Sequence, residues 1–149
     1  MAGRNGKPTT GRCLCGDIRY EFYGEPIEVS HCHCQSCRRH TSNPISTFIA
    51  IDKNLFRYSN GTPVSYESSP SVQRTHCGRC GSPISYENRY EFALYVCTLD
   101  DPTGVEPTFH TWTDYQMPWL EMADDLPRYA RGDRNADPVS YGPRRAKKN

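Results

Sequence analysis

The 149-residue sequence has no apolar run approaching 18 residues, which excludes a transmembrane helix. Its first residues, Met1-Ala-Gly-Arg-Asn-Gly-Lys, contain no apolar h-region. No secretory signal is expected, and the thiols are expected to meet a reducing cytoplasm. Excess charge is scarce: 18 Lys and Arg stand against 17 Asp and Glu, and a net +1 gives no field that would draw nucleic acid or membrane to the whole domain. Apolar residues are few. With the eleven Gly counted in place of the ten Tyr they come to about 37%, below the usual 45–50%, so the core is expected to need help from metal. Long helical periods are also missing. Twelve Pro and eleven Gly point instead to short elements joined by turns.

What is abundant is cysteine. Eight cysteines allow 105 disulfide pairings, but seven of them fall into C-x-C, C-x-C-x2-C and C-x2-C clusters, the spacing of metal ligands. The segment Cys32-His33-Cys34-Gln35-Ser36-Cys37 can bring three sulfurs to about 2.3 Å from one zinc ion. Three ligands leave one tetrahedral position for water or substrate, whereas structural sites are closed by four. The alternative is that His33, His31 or a distant side chain fills the fourth corner. His33, lying between two ligands, is poorly placed to join them on the same ion. Cys13 with Cys15 and Cys77 with Cys80 are each half of a tetrahedral site, and together they make a closed four-cysteine zinc that staples the first strand to a much later one. Joining the trio to one of these pairs is the competing arrangement, and it strands the other pair. Oxidised pairs are a further alternative. A metal held by three thiolates attracts soft donors and deprotonates an incoming thiol, so the expected substrate is a small thiol.

Alternating apolar and polar residues predict strands at 18–22, 27–30, 46–51, 72–76, 83–87, 92–98 and 108–113. Phe56-Arg-Tyr-Ser and Val64-Ser-Tyr-Glu flank Asn60-Gly61, which suggests a hairpin. One or two helical turns are expected from Gln35 to His40, and another turn over Leu120 to Pro127. The fold is expected to be mainly β, with antiparallel sheets pinned by metal. Residues 1–11 are expected to be a flexible leader, 12–130 the zinc domain, and 131–149, with six Lys or Arg, a disordered basic tail.

Outside the clusters, Cys97 sits on a predicted strand, where it reads as an inert small hydrophobe; the competing roles are fourth ligand or redox partner. His31 and His33 abut the trio and are candidates to orient ligands or relay a proton. His110, within Phe109-His110-Thr111-Trp112, is a second candidate acid, with a structural hydrogen-bonded role as the alternative. His76 is expected to pack beside Cys77, and His40 to cap the short helix. Asp100 and Asp101 precede Pro102 and are expected to cap a turn.

Taken in order, Cys13-x-Cys15-Gly16, Cys32-His33-Cys34-x2-Cys37-Arg38, Cys77-x2-Cys80-Gly81, Thr98-Leu99-Asp100-Asp101 and His110-x-Trp112-x5-Pro118-Trp119 resemble the glutathione-dependent formaldehyde-activating enzyme family, which also includes centromere protein V. The similarity covers about residues 11–130. It implies a β-tent of packed antiparallel sheets, a structural zinc at Cys13, Cys15, Cys77 and Cys80, and a second zinc at Cys32, Cys34 and Cys37. It also implies glutathione binding and formation of S-(hydroxymethyl)glutathione from formaldehyde, a carbon–sulfur lyase activity. Ser42 stands where family members often carry Gly, and His76 where they carry an apolar aromatic; both departures bear on substrate more than on fold. Two other readings differ in class: a carrier that binds glutathione without turnover, and an interaction protein whose basic ends touch nucleic acid. The second ranks last, because the charge lies in the ends without interleaved aromatics.

Overall fold

Short alternating segments become short strands. The computed structural model describes residues 6–132, and in chain order these form β1 (Thr9–Arg12), β2 (Arg19–Phe22), β3 (Glu28–Cys32), α1 (Gln35–Thr41), β4 (Ser46–Ile51), β5 (Phe56–Asn60), β6 (Val64–Ser69), β7 (Val72–His76), β8 (Pro83–Glu87), β9 (Phe92–Tyr95) and β10 (Phe109–Thr111). The protein is mainly β, as expected. The chain divides into two compact units, with boundaries at Val29/Ser30, Thr47/Phe48 and Glu106/Pro107. Among the described residues no helix is long and apolar enough to cross a membrane.

The unit formed by the residues up to Val29 together with Phe48–Glu106 holds two sheets. β1, β2 and β5 make an antiparallel sheet in which Gly11 lies opposite Tyr20, and Tyr20 opposite Tyr58. In the other sheet Phe48–Ile51 pairs with β9, which pairs with β8, β8 with β7 and β7 with β6, all antiparallel. Tyr20 and Phe22 from the first sheet meet Ile49, Ile51, Ile84 and Leu94 from the second in one buried cluster. Burying each of these aliphatic side chains is worth about 1.5–3 kcal/mol. Phe56 bridges the layers, with ring centroids 5.7 Å from Tyr20 and 4.7 Å from Phe92.

Three expectations fail in this unit. Residues 9–11, assigned to a flexible leader, belong to β1: their small polar side chains carry no apolar signal, but Gly11 lets the backbone lie against the Tyr20 ring. The hairpin across Asn60-Gly61 does not form. Phe56 and Tyr58 side with Tyr20, so β5 pairs with β2, while β6 pairs with β7. The strand expected to run to Thr98 ends at Tyr95, where Thr98 Oγ1 donates to the Tyr95 carbonyl (2.8 Å) and closes a 3-10 turn over Val96–Thr98. Cys97 is therefore exposed on a turn rather than packed on a strand face.

The unit of Ser30–Thr47 with Pro107 onward holds α1 and a parallel pairing of β10 with β3, in which His110 lies opposite His31 and Thr111 opposite Cys32. This pair departs from the all-antiparallel expectation. β10 is also shorter than the expected strand, covering only Phe109–Thr111. The helical turn expected over Leu120 to Pro127 is absent, because the buried Arg128 guanidinium collects the carbonyls of Met122, Asp124 and Leu126 (2.9–3.3 Å) that helical bonds would have used. An extended strap results. Its end laces onto β10, with His110 N–H donating to Pro127 O (2.8 Å) and Tyr129 N–H to His110 O (2.9 Å). The expected basic tail lies, beyond Arg131 and Gly132, outside the described residues.

Candidate metal centres

Each half of the four-cysteine cluster is a tight loop closed by the same backbone bond. Cys13 N–H donates to Ile18 O (3.0 Å), and Cys77 N–H donates to Ser82 O (2.9 Å). Gly16 (φ 84°) and Gly81 (φ 78°) take left-handed conformations that residues with a Cβ resist, and so let each loop curl back toward its own thiols. Main-chain donors point at the sulfurs: Ile18 N–H at Cys13 Sγ (3.3 Å), Arg79 N–H at Cys77 Sγ (3.4 Å) and Cys80 N–H at Cys77 Sγ (3.5 Å). The bond from Ile18 favours the Cys13 thiolate. The Ser82 hydroxyl, 3.3 Å from Cys80 Sγ, and the Ser82 N–H hold the Cys80 thiol down to about 5.

The sulfurs of Cys13, Cys15, Cys77 and Cys80 all lie within 4.8 Å of one another. Cys13 and Cys15 are 3.5 Å apart, and Cys15 and Cys77 3.8 Å. A disulfide needs about 2.05 Å, whereas a tetrahedral ion bound at about 2.3 Å sets sulfur–sulfur edges of about 3.8 Å. The spacing fits an ion, and no disulfide joins any of the eight cysteines, which speaks against the oxidised alternative. Arranging the trio with one of these pairs is likewise excluded as a single cluster: Cys32, Cys34 and Cys37 gather separately, again within 4.8 Å of one another.

The trio is built from the end of β3 and the start of α1. Cys34 occupies the N-cap, its Sγ accepting from Cys37 N–H at 3.3 Å, so the bond that starts the helix also fixes two of the three sulfurs. Cys32 and Cys37 are buried and Cys34 is half-buried. Crowding by Cys34 and Cys37, together with burial, pushes the Cys32 thiol well above its ordinary value. Three such sulfurs cannot all ionise without a cation among them, and a metal ion held by the three would supply that cation.

His33 and His110 come together. His33 Nε2 lies 2.8 Å from His110 Nδ1, and both side chains are wholly buried. His110 Nε2 in turn lies 3.1 Å from Asp124 Oδ2, and Arg128 Nη1 lies 3.0 Å from Asp124 Oδ1. Burial, then the neighbouring His110 and His31, pushes His33 down to about 3; burial and His110 push His31 down to about 4. Burial also lowers His110, against the pull of Asp124. Asp124 stays below the usual carboxylate range: its own burial works the other way but is outweighed by bonds from His110 and the Leu126 N–H. His33 Nδ1 is buried with no hydrogen-bond partner, an omission worth about 1–3 kcal/mol unless a donor reaches it.

The remaining candidates fall elsewhere. His31 bonds Thr47 (2.8 Å), His76 stands on β7 opposite Val64, and His40 lies in the last turn of α1. Asp101 caps the turn at Thr103 as expected, while Asp100 accepts from Thr10 Oγ1 at 2.6 Å. Sequence reasoning missed Asp124 and Arg128. The i, i+4 spacing of their opposite charges is the available signal, and the helical turn expected over Leu120 to Pro127 stops one residue short of it.

With this arrangement in view, comparison with known proteins is decisive on family. The family model described as glutathione-dependent formaldehyde-activating enzyme matches residues 8–115. The chain belongs to the glutathione-dependent formaldehyde-activating enzyme family. A Schizosaccharomyces pombe protein named as an uncharacterized lyase is 32% identical over 76 residues, which are 51% of this chain and 55% of that protein. This family member thus spans little more than half the length of that relative. A crystal structure of a Rhodobacter sphaeroides protein shares the fold, with a TM-score of 0.53 at 22% identity over 66% of this chain and 91% of the other.

Proposed function

We propose that this family member is a zinc-dependent enzyme of the carbon–sulfur lyase type, acting on an adduct of glutathione or another small thiol, as in formation of S-(hydroxymethyl)glutathione from formaldehyde. The observation that carries the reading is the inequality of the clusters: four gathered sulfurs in one, three in the other. On this reading Cys13, Cys15, Cys77 and Cys80 hold a structural zinc within the domain spanning residues 12–130, and Cys32, Cys34 and Cys37 hold the zinc of the reaction site. Zinc held by three thiolates supplies a Lewis-acid position that favours the deprotonated form of a thiol. The chain's own residues then orient and move a proton. In the forward direction a sulfur–carbon bond forms, the carbonyl π bond breaks, and the proton leaving sulfur ends on the new hydroxyl oxygen; the lyase direction reverses each change. His33 and His110, joined by the 2.8 Å contact, are the groups proposed to hold that proton. The family description names glutathione and formaldehyde, which supports the substrate class, and the yeast relative's name says lyase, which supports the reaction type. Eight cysteines with no disulfide among them suit a cytoplasmic setting.

The test is turnover. Full-length protein at concentrations far below substrate should accelerate adduct formation from formaldehyde and glutathione through many cycles, and Cys34→Ser should abolish the acceleration. Saturation at one equivalent of glutathione, with no gain in rate, would mean a carrier and would sink the enzymatic reading.

A further inference from the structure

The strap that replaces the expected helix carries Asp124, and nothing in the thiol chemistry proposed above uses it. Its two carboxylate oxygens have divided loyalties. Oδ1 takes Arg128 Nη1 at 3.0 Å, and both oxygens lie within 3.2 Å of His110 Nε2. Arg128 is itself fixed by three main-chain carbonyls and is buried, so the carboxylate cannot rotate freely. A carboxylate only accepts, which places hydrogen on His110 Nε2. In a neutral ring His110 Nδ1 is then bare, and the 2.8 Å contact requires His33 Nε2 to donate. That leaves His33 Nδ1 as a lone pair, and this is the nitrogen found buried without a partner on the residue between Cys32 and Cys34.

We infer that Asp124, clamped by Arg128, is a positioning residue that sets the tautomer of the His110–His33 pair and so presents His33 Nδ1 as a hydrogen-bond acceptor for the hydroxyl of a thiol–aldehyde adduct. The catalytic consequence rests on the proposed thiol-adduct reading; the tautomer does not. Asp124 acts through His110 and touches no substrate. Replacing it by Asn makes a sharp prediction, because the Leu126 N–H donates to Oδ1 (3.2 Å) and Arg128 Nη1 lies 3.0 Å from the same oxygen, so that position calls for an acceptor. The Asn carbonyl must take that place, which turns its NH2 toward His110 Nε2. His110 must then carry its hydrogen on Nδ1, His33 Nε2 must accept, and His33 Nδ1 must become a donor.

The experiment is nitrogen-15 NMR of the histidine rings in zinc-loaded, full-length protein, with rates measured on the same samples. Expected is an Nε2–H tautomer at both His33 and His110 in the parent, reversed to Nδ1–H at both in Asp124→Asn. The rate kcat should fall on the order of 100-fold, with KM changed little, as for loss of a proton-transfer partner. Asp124→Glu, which keeps a carboxylate, should restore the parent tautomer and part of kcat. An Nδ1–H tautomer at His33 in the parent overturns the inference, with no dependence on how any variant folds; so does an unchanged tautomer in Asp124→Asn. The predicted tautomers in a parent protein without turnover would sink the enzymatic reading and leave the assignment of Asp124 standing.

Discussion

Acidification should destabilise this protein through His33. The imidazole is wholly buried, held down to about 3 by that burial and by the neighbouring His110, whereas in the unfolded chain it titrates near 6.5. The unfolded state therefore binds the proton first. Stability from this group is complete above about 6.5, falls as pH drops below that value, and stops falling near 3. At pH 5 the unfolded imidazole is about 1.5 pH units below its midpoint while the folded one is still neutral, a loss of about 2 kcal/mol. Urea unfolding in zinc-saturating buffer at pH 7.5 and pH 5 measures it directly. Acid-labile groups distant from the site contribute to the parent and to His33→Gln alike, so the difference between the two reports His33 together with the His110 it contacts. The parent should lose about 2 kcal/mol more than His33→Gln between the two pH values. Equal losses would refute the buried neutral imidazole.

Two further substitutions test the packing. A Cβ at Gly11 would meet Tyr20 Oη at 2.2 Å and the Thr98 carbonyl oxygen at 2.6 Å, so Gly11→Ala should lower stability by about 1–3 kcal/mol in thermal melts; an unchanged melt would show that β1 does not lie against β2 as described. Cys97→Ser should leave metal content intact and stability within about 0.5 kcal/mol, since the thiol is exposed on a turn and belongs to neither cluster; loss of a bound ion would contradict this.

The two cysteine clusters were legible because their spacing is local: Cys34 and Cys37 are both set by the first turn of α1, and each half of the four-cysteine cluster is one tight loop. β4 was legible for a similar reason, six β-prone residues with no competing period, and the structure gives Ser46–Ile51. What could not be read depends on distant partners. β1 exists because Gly11 fits against Tyr20, and β5 leaves its chain neighbour β6 because Phe56 and Tyr58 pack near Tyr20; neither preference is written in the local pattern. The same holds for Asp124 and Arg128, whose roles come from a non-helical strap stabilised by one guanidinium and three carbonyls. His33 and His110 could be named as candidates, but their contact depends on the register that sets β10 beside β3.

The account stands on two ion sites of unequal closure, and elemental analysis of purified full-length protein beside Cys34→Ser tests that most directly. The parent should carry two zinc ions per chain and the variant one, with the parent's far-ultraviolet circular dichroism retained, because the four-cysteine cluster that Cys34 does not belong to still holds its ion. One zinc in the parent, or two in the variant, would contradict it.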